Sequence, residues 1–294
     1  MNLSVVIITF NEEVNIGRTL TSVQPLVADG KGEIIVVDSG STDRTIEIAK
    51  SFGAEVFIEE WKGFAAQKNS AIDKATGDWI LSLDADEEVS NDLSTEVLEL
   101  LVLQPGKVVQ KLSSRGAFDS WIELKDDLYV TFEDQREGGL TGIEIPRKNF
   151  FLGRWIRRGG FYPDRKLRLF KKGSALFENR KVHEDAHTEG FTVRLRGPIL
   201  HHSYPTLSDY IEHMNRYSSL GAEMVVAKDN GKVRFSVSNI VLRPLATFIY
   251  NYFFRLGFLD GREGLLLHLY HAVYVSWKYA KAWELSRNNN TMSS

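Results

Sequence analysis

Within its first 90 residues the chain repeats one pattern: a short apolar, β-branched run that ends on polar or acidic residues, then a segment with helical spacing. Leu3–Thr9, Glu33–Asp38, Val56–Ile58 and Trp79–Asp84 are the strand-like runs. Between them Ile16, Leu20 and Val23 share one helical face, and Ile46 and Ala49 share another before Gly53. A third helix is expected over Phe64–Thr76, stopping at Gly77. Short apolar strands alternating with helices predict an α/β protein whose parallel sheet is covered on both faces and joined by right-handed crossovers. Such sheets bind ligands outside the carboxyl ends of their strands, so chemistry is expected just after each run.

The 294-residue length and 43% hydrophobic content allow a sizeable core, in one large domain or two small ones. A formal net charge of −3 argues against wholesale nucleic-acid binding, although basic residues crowd 147–172 while acids dominate 84–99 and 119–137. Without cysteine there is no disulfide framework and no thiolate metal site, which fits a reducing compartment. The N-terminus opens directly on a strand pattern, with no secretory-signal features, and no run of about 18 apolar residues predicts a spanning helix.

The acids that close the strands carry the chemistry. In Thr9-Phe10-Asn11-Glu12 no glycine-rich turn follows the first strand, which disfavours a Rossmann dinucleotide site. Asn11 can cap the next helix with Glu12 and Glu13 in its first turn, or the same loop can face a ligand. Asp38, before Ser39 and Gly40, can accept bonds from a base or ribose, or simply close the turn. Asp84 and Asp86 are separated by one residue after a buried strand; two carboxylates there suit Mg²⁺ or Mn²⁺ shared with a diphosphate, or else an acidic helix entry capped by Ser90.

The runs SVVIITFNEE, IIVVDSGSTDRT and QKNSAIDKATGDWILSLDADE, in that order and spacing, closely resemble the nucleotide-sugar domain of family 2 glycosyltransferases of the GT-A fold. That resemblance implies a metal-assisted, inverting sugar transfer from a nucleoside-diphosphate donor. It places Thr9, Asn11, Glu12, Asp38, Ser39 and Gly40 at the nucleotide, with Gln67, Lys68 and Asn69 toward the phosphates. Ala85 joins the donor site with Asp84, and Asp86 is the favoured metal ligand beside Asp84. The family often has Arg or Lys with Asn where this chain has Gln67-Lys68-Asn69, so the phosphate contact departs from the pattern.

An inverting transfer needs a general base for the acceptor hydroxyl. NRKVHEDAH, at 179–187, resembles the V-H-E segment of bacterial lipopolysaccharide-core β-glucosyltransferases, with Glu184 favoured as base, Asp185 the alternative register, and His183 beside them. Arg168, in an RLF triplet, and His201 are assigned to the acceptor or phosphate side on the same resemblance. The mix of Arg and aromatic residues over 147–170 suits a phosphorylated glycan or lipid.

The expected organisation is a GT-A domain over 1–205, with a nucleotide-sugar half to 104 and an acceptor half from 105, then a helical region over 206–294. Tyr210, Ile211, Met214, Tyr217, Gly221 and Met224 recur there at helical spacing, and Val237–Leu285 is aromatic with interspersed Arg and Lys. That tail suits peripheral attachment at the inner face of the cell membrane, a homo-oligomer interface or a helical cover. A polyprenyl-phosphate sugar synthase and a non-catalytic nucleotide-sugar module are the alternative functions.

Overall fold

The structure, a computed structural model, describes residues 2–102, 140–178, 185–229 and 232–292. Its first strands are β1 (Leu3–Thr9), β2 (Gly32–Asp38), β3 (Glu55–Ile58) and β4 (Trp79–Asp84). β1 pairs in parallel with β2 and β4, and β2 in parallel with β3, giving the order β3-β2-β1-β4. Every residue of β1 is buried. A strand covered on both faces divides alternate side chains between two cores. Leu3, Val5 and Ile7 join Ile16, Leu20 and Val23 of α1 (Ile16–Val27), together with Ala49 of α2 (Thr45–Ser51). Val6 and Ile8 instead join Ala65, Ala71 and Ile72 of α3 (Phe64–Lys74).

The capping role considered for Asn11 is not what forms. α1 starts at Ile16 with Asn15 in the cap position, and Asn11 holds φ at 54°, a left-handed conformation that Asn tolerates better than most residues. Glu12 and Glu13 therefore lie in the turn before the helix.

Beyond Asp84 the sheet becomes mixed. β5 (Glu87–Val89) leads into α4 (Asn91–Val102), capped by Ser90, whose Oγ accepts from the Leu93 N–H at 3.2 Å. β6 (Leu140–Phe151), β8 (Asp164–Lys171) and β12 (Ile199–Tyr204) extend the order to β3-β2-β1-β4-β8-β6-β12-β5, and β7 (Arg154–Trp155) and β11 (Phe191–Arg194) also pair with β6. β8 runs antiparallel to β4, and β12 antiparallel to β5. Parallel pairing thus runs without a break over β1–β4, and beyond them it recurs where β11 pairs in parallel with β6. β9 (Ala175–Phe177) and β10 (Ala186–Thr188) form a separate antiparallel ribbon.

The chain forms two compact units: described residues within 1–147, 165–180 and 184–201 make the first, and those within 148–164 and from 202 onward belong to the second. Residues 148–164 thus join the C-terminal helices rather than an acceptor half ending at 205. Asp260 Oδ2 accepts from the Arg157 and Arg158 N–H groups at 3.1 and 2.7 Å, and Arg255 O accepts from Gly159 N–H at 3.0 Å. The second unit is otherwise built from α5 (Leu207–Lys228), α6 (Arg243–Ile249) and α7 (Gly261–Met292). α5 opens with a capping box, in which Thr206 and Asp209 each accept from the other's backbone N–H at 3.1 Å. Among the described residues no helix is long and apolar enough to cross a membrane.

Leu81, fully buried in β4, gives a test of this core. Leu81→Ala should cost about 2–5 kcal/mol in urea unfolding, against a change within about 0.5 kcal/mol for Leu176→Ala at a position 58% exposed.

Candidate active site

The parallel register sets Thr9 directly across from Asp38 and Ile8 across from Asp84, so the loops after β1, β2 and β4 open along one edge of the sheet. Asp38 is fully buried there. Its Oδ1 accepts from the N–H groups of Gly40 and Ser41 at 2.9 and 2.8 Å, and its Oδ2 from the hydroxyls of Thr9 and Ser41 at 2.8 and 2.5 Å. A carboxylate has about four lone-pair sites, so this one closes its own loop and in this conformation holds no acceptor in reserve for a base. What the loop still offers is Ser39 Oγ, buried and, among the described residues, without a partner, next to Gly40 at φ 89°.

The polar residues after β1 brace that loop from the other side. Asn11 Oδ1 accepts from Thr42 N–H at 2.8 Å, Glu13 Oε2 accepts from Arg44 N–H at 3.0 Å, and the Glu12 N–H donates to Thr45 Oγ1 at 2.7 Å. Asn11 and Glu13 thus act across the gap between β1 and β2, on the entry to α2, instead of on α1.

Asp84 sits between two nearly buried cations. Lys68 Nζ lies 2.6 Å from its Oδ1, and an Arg168 nitrogen 2.8 Å from its Oδ2. Burial opposes ionisation of Asp84, but the two cations outweigh it and hold the carboxyl well below its ordinary range. Arg168 also donates to Glu87 Oε1 at 2.7 Å, where Arg147 joins it at 3.1 Å, while Glu87 Oε2 accepts from Asp84 N–H at 3.0 Å. The antiparallel pairing of β8 with β4 delivers Arg168 to this place. Arg168, expected on the acceptor or phosphate side, thus lies buried behind the acidic pair, with one guanidinium nitrogen shared by Asp84 and Glu87 and, among the described residues, its Nε without a partner.

Asp86 has a different partner. The pairing of β12 with β5 sets His201 across from Glu87, and His201 Nε2 lies 3.3 Å from Asp86 Oδ2. Burial raises the Asp86 carboxyl and His201 lowers it further, with Asp84 pulling upward, so it titrates below its ordinary range. The turn itself is fixed by Thr19 Oγ1, which donates to Ala85 O at 2.6 Å. Burial pushes the Glu12 carboxyl up, opposed by a bond from Asn15 and reinforced by the negative charges of Asp86, Asp43 and Asp84. Glu12, Asp84 and Asp86 thus share one negative region, in which Lys68 and Arg168 answer Asp84 alone.

That imbalance is the test of fit for a divalent cation. Among the described residues no three His, Cys, Asp or Glu side chains converge closely enough to ligate one ion. Asp86 and His201 do come together, and hard cations at phosphate sites use one or two protein carboxylates and take the remaining ligands from water and substrate. The residues fit such an ion through Asp86, with Asp84 already engaged by its two cations.

On α3 the expected phosphate residues separate. Asn69, expected toward the phosphates, donates from its side chain to Phe177 O at 3.0 Å and accepts from Phe177 N–H at 2.9 Å, tying β9 to the helix. Lys68 lies over the Phe177 ring and faces Asp84. Gln67 is fully buried and, among the described residues, both its amide atoms lack a partner. Asp185 is held by Lys166 at 2.7 Å, and Glu184 and His183 lie outside the described residues. Glu87 is a site residue that the motifs do not single out, although it lies in the acid run DADEE, and Arg147 belongs to the basic cluster that starts at 147.

In the second unit, Trp155 is flanked by Lys148 and Arg157, whose charged ends lie 4.5 and 4.6 Å from its ring, and Tyr162 meets it edge-on at 5.2 Å. This is the aromatic and basic mix expected over 147–170.

The model of the family described as Glycosyl transferase family 2 matches residues 4–175. An uncharacterized glycosyltransferase of Rickettsia typhi is 28% identical over 302 residues, covering 99% of this chain and 90% of its own. The lipopolysaccharide core biosynthesis glycosyltransferase LpsC of Rhizobium meliloti is 27% identical over 289 residues, covering 96% and 92%. Among solved structures, S. aureus TarS 1–349 in complex with UDP is 17% identical, with a TM-score of 0.45 over 98% of this chain and 92% of that one. The family match runs through β1, β2, β4 and β8, and so includes Thr9, Asp38, Asp84, Asp86 and Arg168. With those strands and acids accounted for, the chain belongs to glycosyl transferase family 2 and has its α/β, GT-A-type fold.

Proposed function

We propose that this glycosyltransferase moves a sugar, a hexose such as glucose, from a nucleoside diphosphate to a hydroxyl of a membrane-borne glycan of the lipopolysaccharide-core type, with inversion. The observation that carries the reading is Asp86 paired with His201 beside an Asp84 already neutralised by Lys68 and Arg168. The name of the Rhizobium meliloti relative supports the acceptor class.

Mg²⁺ or Mn²⁺ held by Asp86 and His201 would supply charge neutralisation for the departing diphosphate. The protein's own residues do the rest. Asp84 is a positioning residue that keeps Lys68 and Arg168 in place, and the β1 and β2 loops, braced through Asn11, Glu13 and Asp38, form the wall for the nucleoside. Glu184 takes the proton of the acceptor hydroxyl as that oxygen attacks the anomeric carbon from the face opposite the leaving group. The bond to the donor's phosphate oxygen breaks, and the nucleoside diphosphate leaves with the bonding pair. Asp185 is engaged by Lys166, which favours Glu184 for the proton.

The two aspartates should fail differently. Asp86→Ala should abolish the metal-dependent part of nucleoside-diphosphate binding in calorimetry while melting near the wild-type temperature; equal donor affinity with Mn²⁺ and with EDTA in the wild-type chain would overturn the assignment. Asp84→Asn should instead lose roughly 3 kcal/mol of stability, because two nearly buried cations lose their shared carboxylate. Since the folded carboxyl titrates below its unfolded value, the Asp84 contribution is present above about pH 4 and is lost as pH falls through the depressed folded value. Asp84→Asn should therefore flatten the acid limb of the stability curve.

Glu184→Gln should reduce sugar transfer by about 10²–10⁴-fold with donor affinity kept, and Asp185→Asn should be much milder. If Asp185→Asn abolishes transfer while Glu184→Gln retains most of it, the base is Asp185.

A further inference from the structure

From Ser238 to Phe254 the second unit carries a continuous helical rod, π-wound at Ser238–Leu242 and Tyr250–Phe254 and α-wound at α6 between them. One side is anchored on α7: Ser276 Oγ donates to Ile240 O at 2.8 Å, the Arg243 guanidinium lies over Tyr279 and donates to its hydroxyl, and Pro244 is buried. The opposite side is apolar and open. Val237, Val241, Leu245, Ile249 and Phe253 make one row at four-residue spacing, and Leu242, Tyr250 and Phe254 a second, with Phe254 75% exposed. Leu256, Phe258 and Leu259 continue the exposed surface beyond the rod. Helices of soluble proteins turn such rows toward a core, so a rod that is apolar on its outer side calls for a cover.

The charge pattern identifies the cover. From Lys232 to Leu259 the chain has four basic residues, Lys232, Arg234, Arg243 and Arg255, and no acid. All four are exposed and, among the described residues, none has a carboxylate partner, the Arg243 guanidinium being turned to Tyr279. A second copy docked through a two-fold axis would set this all-basic surface against itself, where like charges repel. An anionic bilayer surface offers the complementary chemistry: acyl chains for the apolar rows and headgroup phosphates for the cations. At 17 residues the rod is shorter than the roughly 20 that a spanning helix needs, and among the described residues no helix is long and apolar enough to cross, consistent with lying in the plane of the interface.

We propose that residues 232–259 are a monotopic docking element by which the chain lies on an anionic lipid surface, with α7 serving as its internal support. α7 is occupied elsewhere along its length: Lys281 Nζ donates to Asn215 O and Ser218 Oγ of α5 at 2.8 and 2.7 Å, and the Lys278 and Tyr274 side chains lie against Gly221. The membrane role expected of the whole tail thus narrows to the rod and the turn that follows it. The inference is independent of the transfer chemistry and adds to that reading the surface on which a membrane-borne acceptor is met.

The test is sedimentation of the full chain with vesicles, in parallel with analytical ultracentrifugation without lipid. Wild type should bind phosphatidylglycerol-containing vesicles and bind pure phosphatidylcholine vesicles at least about tenfold more weakly, as several basic contacts worth about 1 kcal/mol each require. Leu245→Glu/Phe254→Glu, at two exposed positions, should abolish vesicle binding. Its melting temperature and its thermal shift with nucleoside diphosphate and Mn²⁺ should stay unchanged, and a missing shift in both proteins would count against the donor site alone. Absence of wild-type binding to anionic vesicles overturns the docking element, as does equal binding by the double variant. A wild-type dimer that the double variant dissociates, with no vesicle binding by either, would assign the surface to self-association instead.

Discussion

The candidate site depends on one guanidinium. Arg168 is nearly buried and donates to two carboxylates, Asp84 from β4 and Glu87 from β5, while Arg147 from β6 meets the second of them. Counting Lys68, three cations meet these two carboxylates behind Asp86. Desolvating these groups is costly, and burial of this kind is weak evidence of net stability. What it supplies is position, since each charge is held by partners on other strands and cannot turn away without leaving a buried ion unpaired. This also explains why the nucleotide half is not complete at Asp84: an antiparallel strand more than 80 residues later must return to order it, and the family match ends at residue 175, just past that strand.

The sequence made the parallel half legible because its strands are uniformly apolar and its helices strictly periodic. Leu3–Thr9 and Trp79–Asp84 match β1 and β4 in full, and β2 begins one residue before the run read for it. Burial on both faces leaves little freedom in such runs, so local pattern and tertiary environment agree. The mixed half was less legible, since a register such as His201 opposite Glu87 joins residues 114 apart and leaves no local periodicity. The resemblance, not the pattern, brought His201 into the site, and only the fold shows that its partner is Asp86.

Side-chain partners were least legible where a polar residue had two ways to be satisfied. Asn11 looks like a cap because Asn before two acids suits a helix start, yet a left-handed turn lets it bond the neighbouring loop. Asn69 lies in a phosphate-like motif, but the backbone of Phe177 takes both ends of its amide. Sequence names the donors and acceptors available; which of them meet depends on distant segments such as β9.

Under the proposed reaction, this accounting couples cation to donor. Asp84 is already answered inside the protein, and among the described residues Asp86 is paired with the His201 side chain, so the remaining negative charge near Glu12 repels a diphosphate approaching alone. A dication brought by Asp86 and His201 would find few protein ligands there, and the diphosphate oxygens would complete its shell. Each ligand supplies what the other lacks, so their affinities rise together and by the same factor. The buried cations make that coupling possible by holding Asp84 ionised but occupied, which keeps it out of competition and leaves the ion to Asp86 and His201.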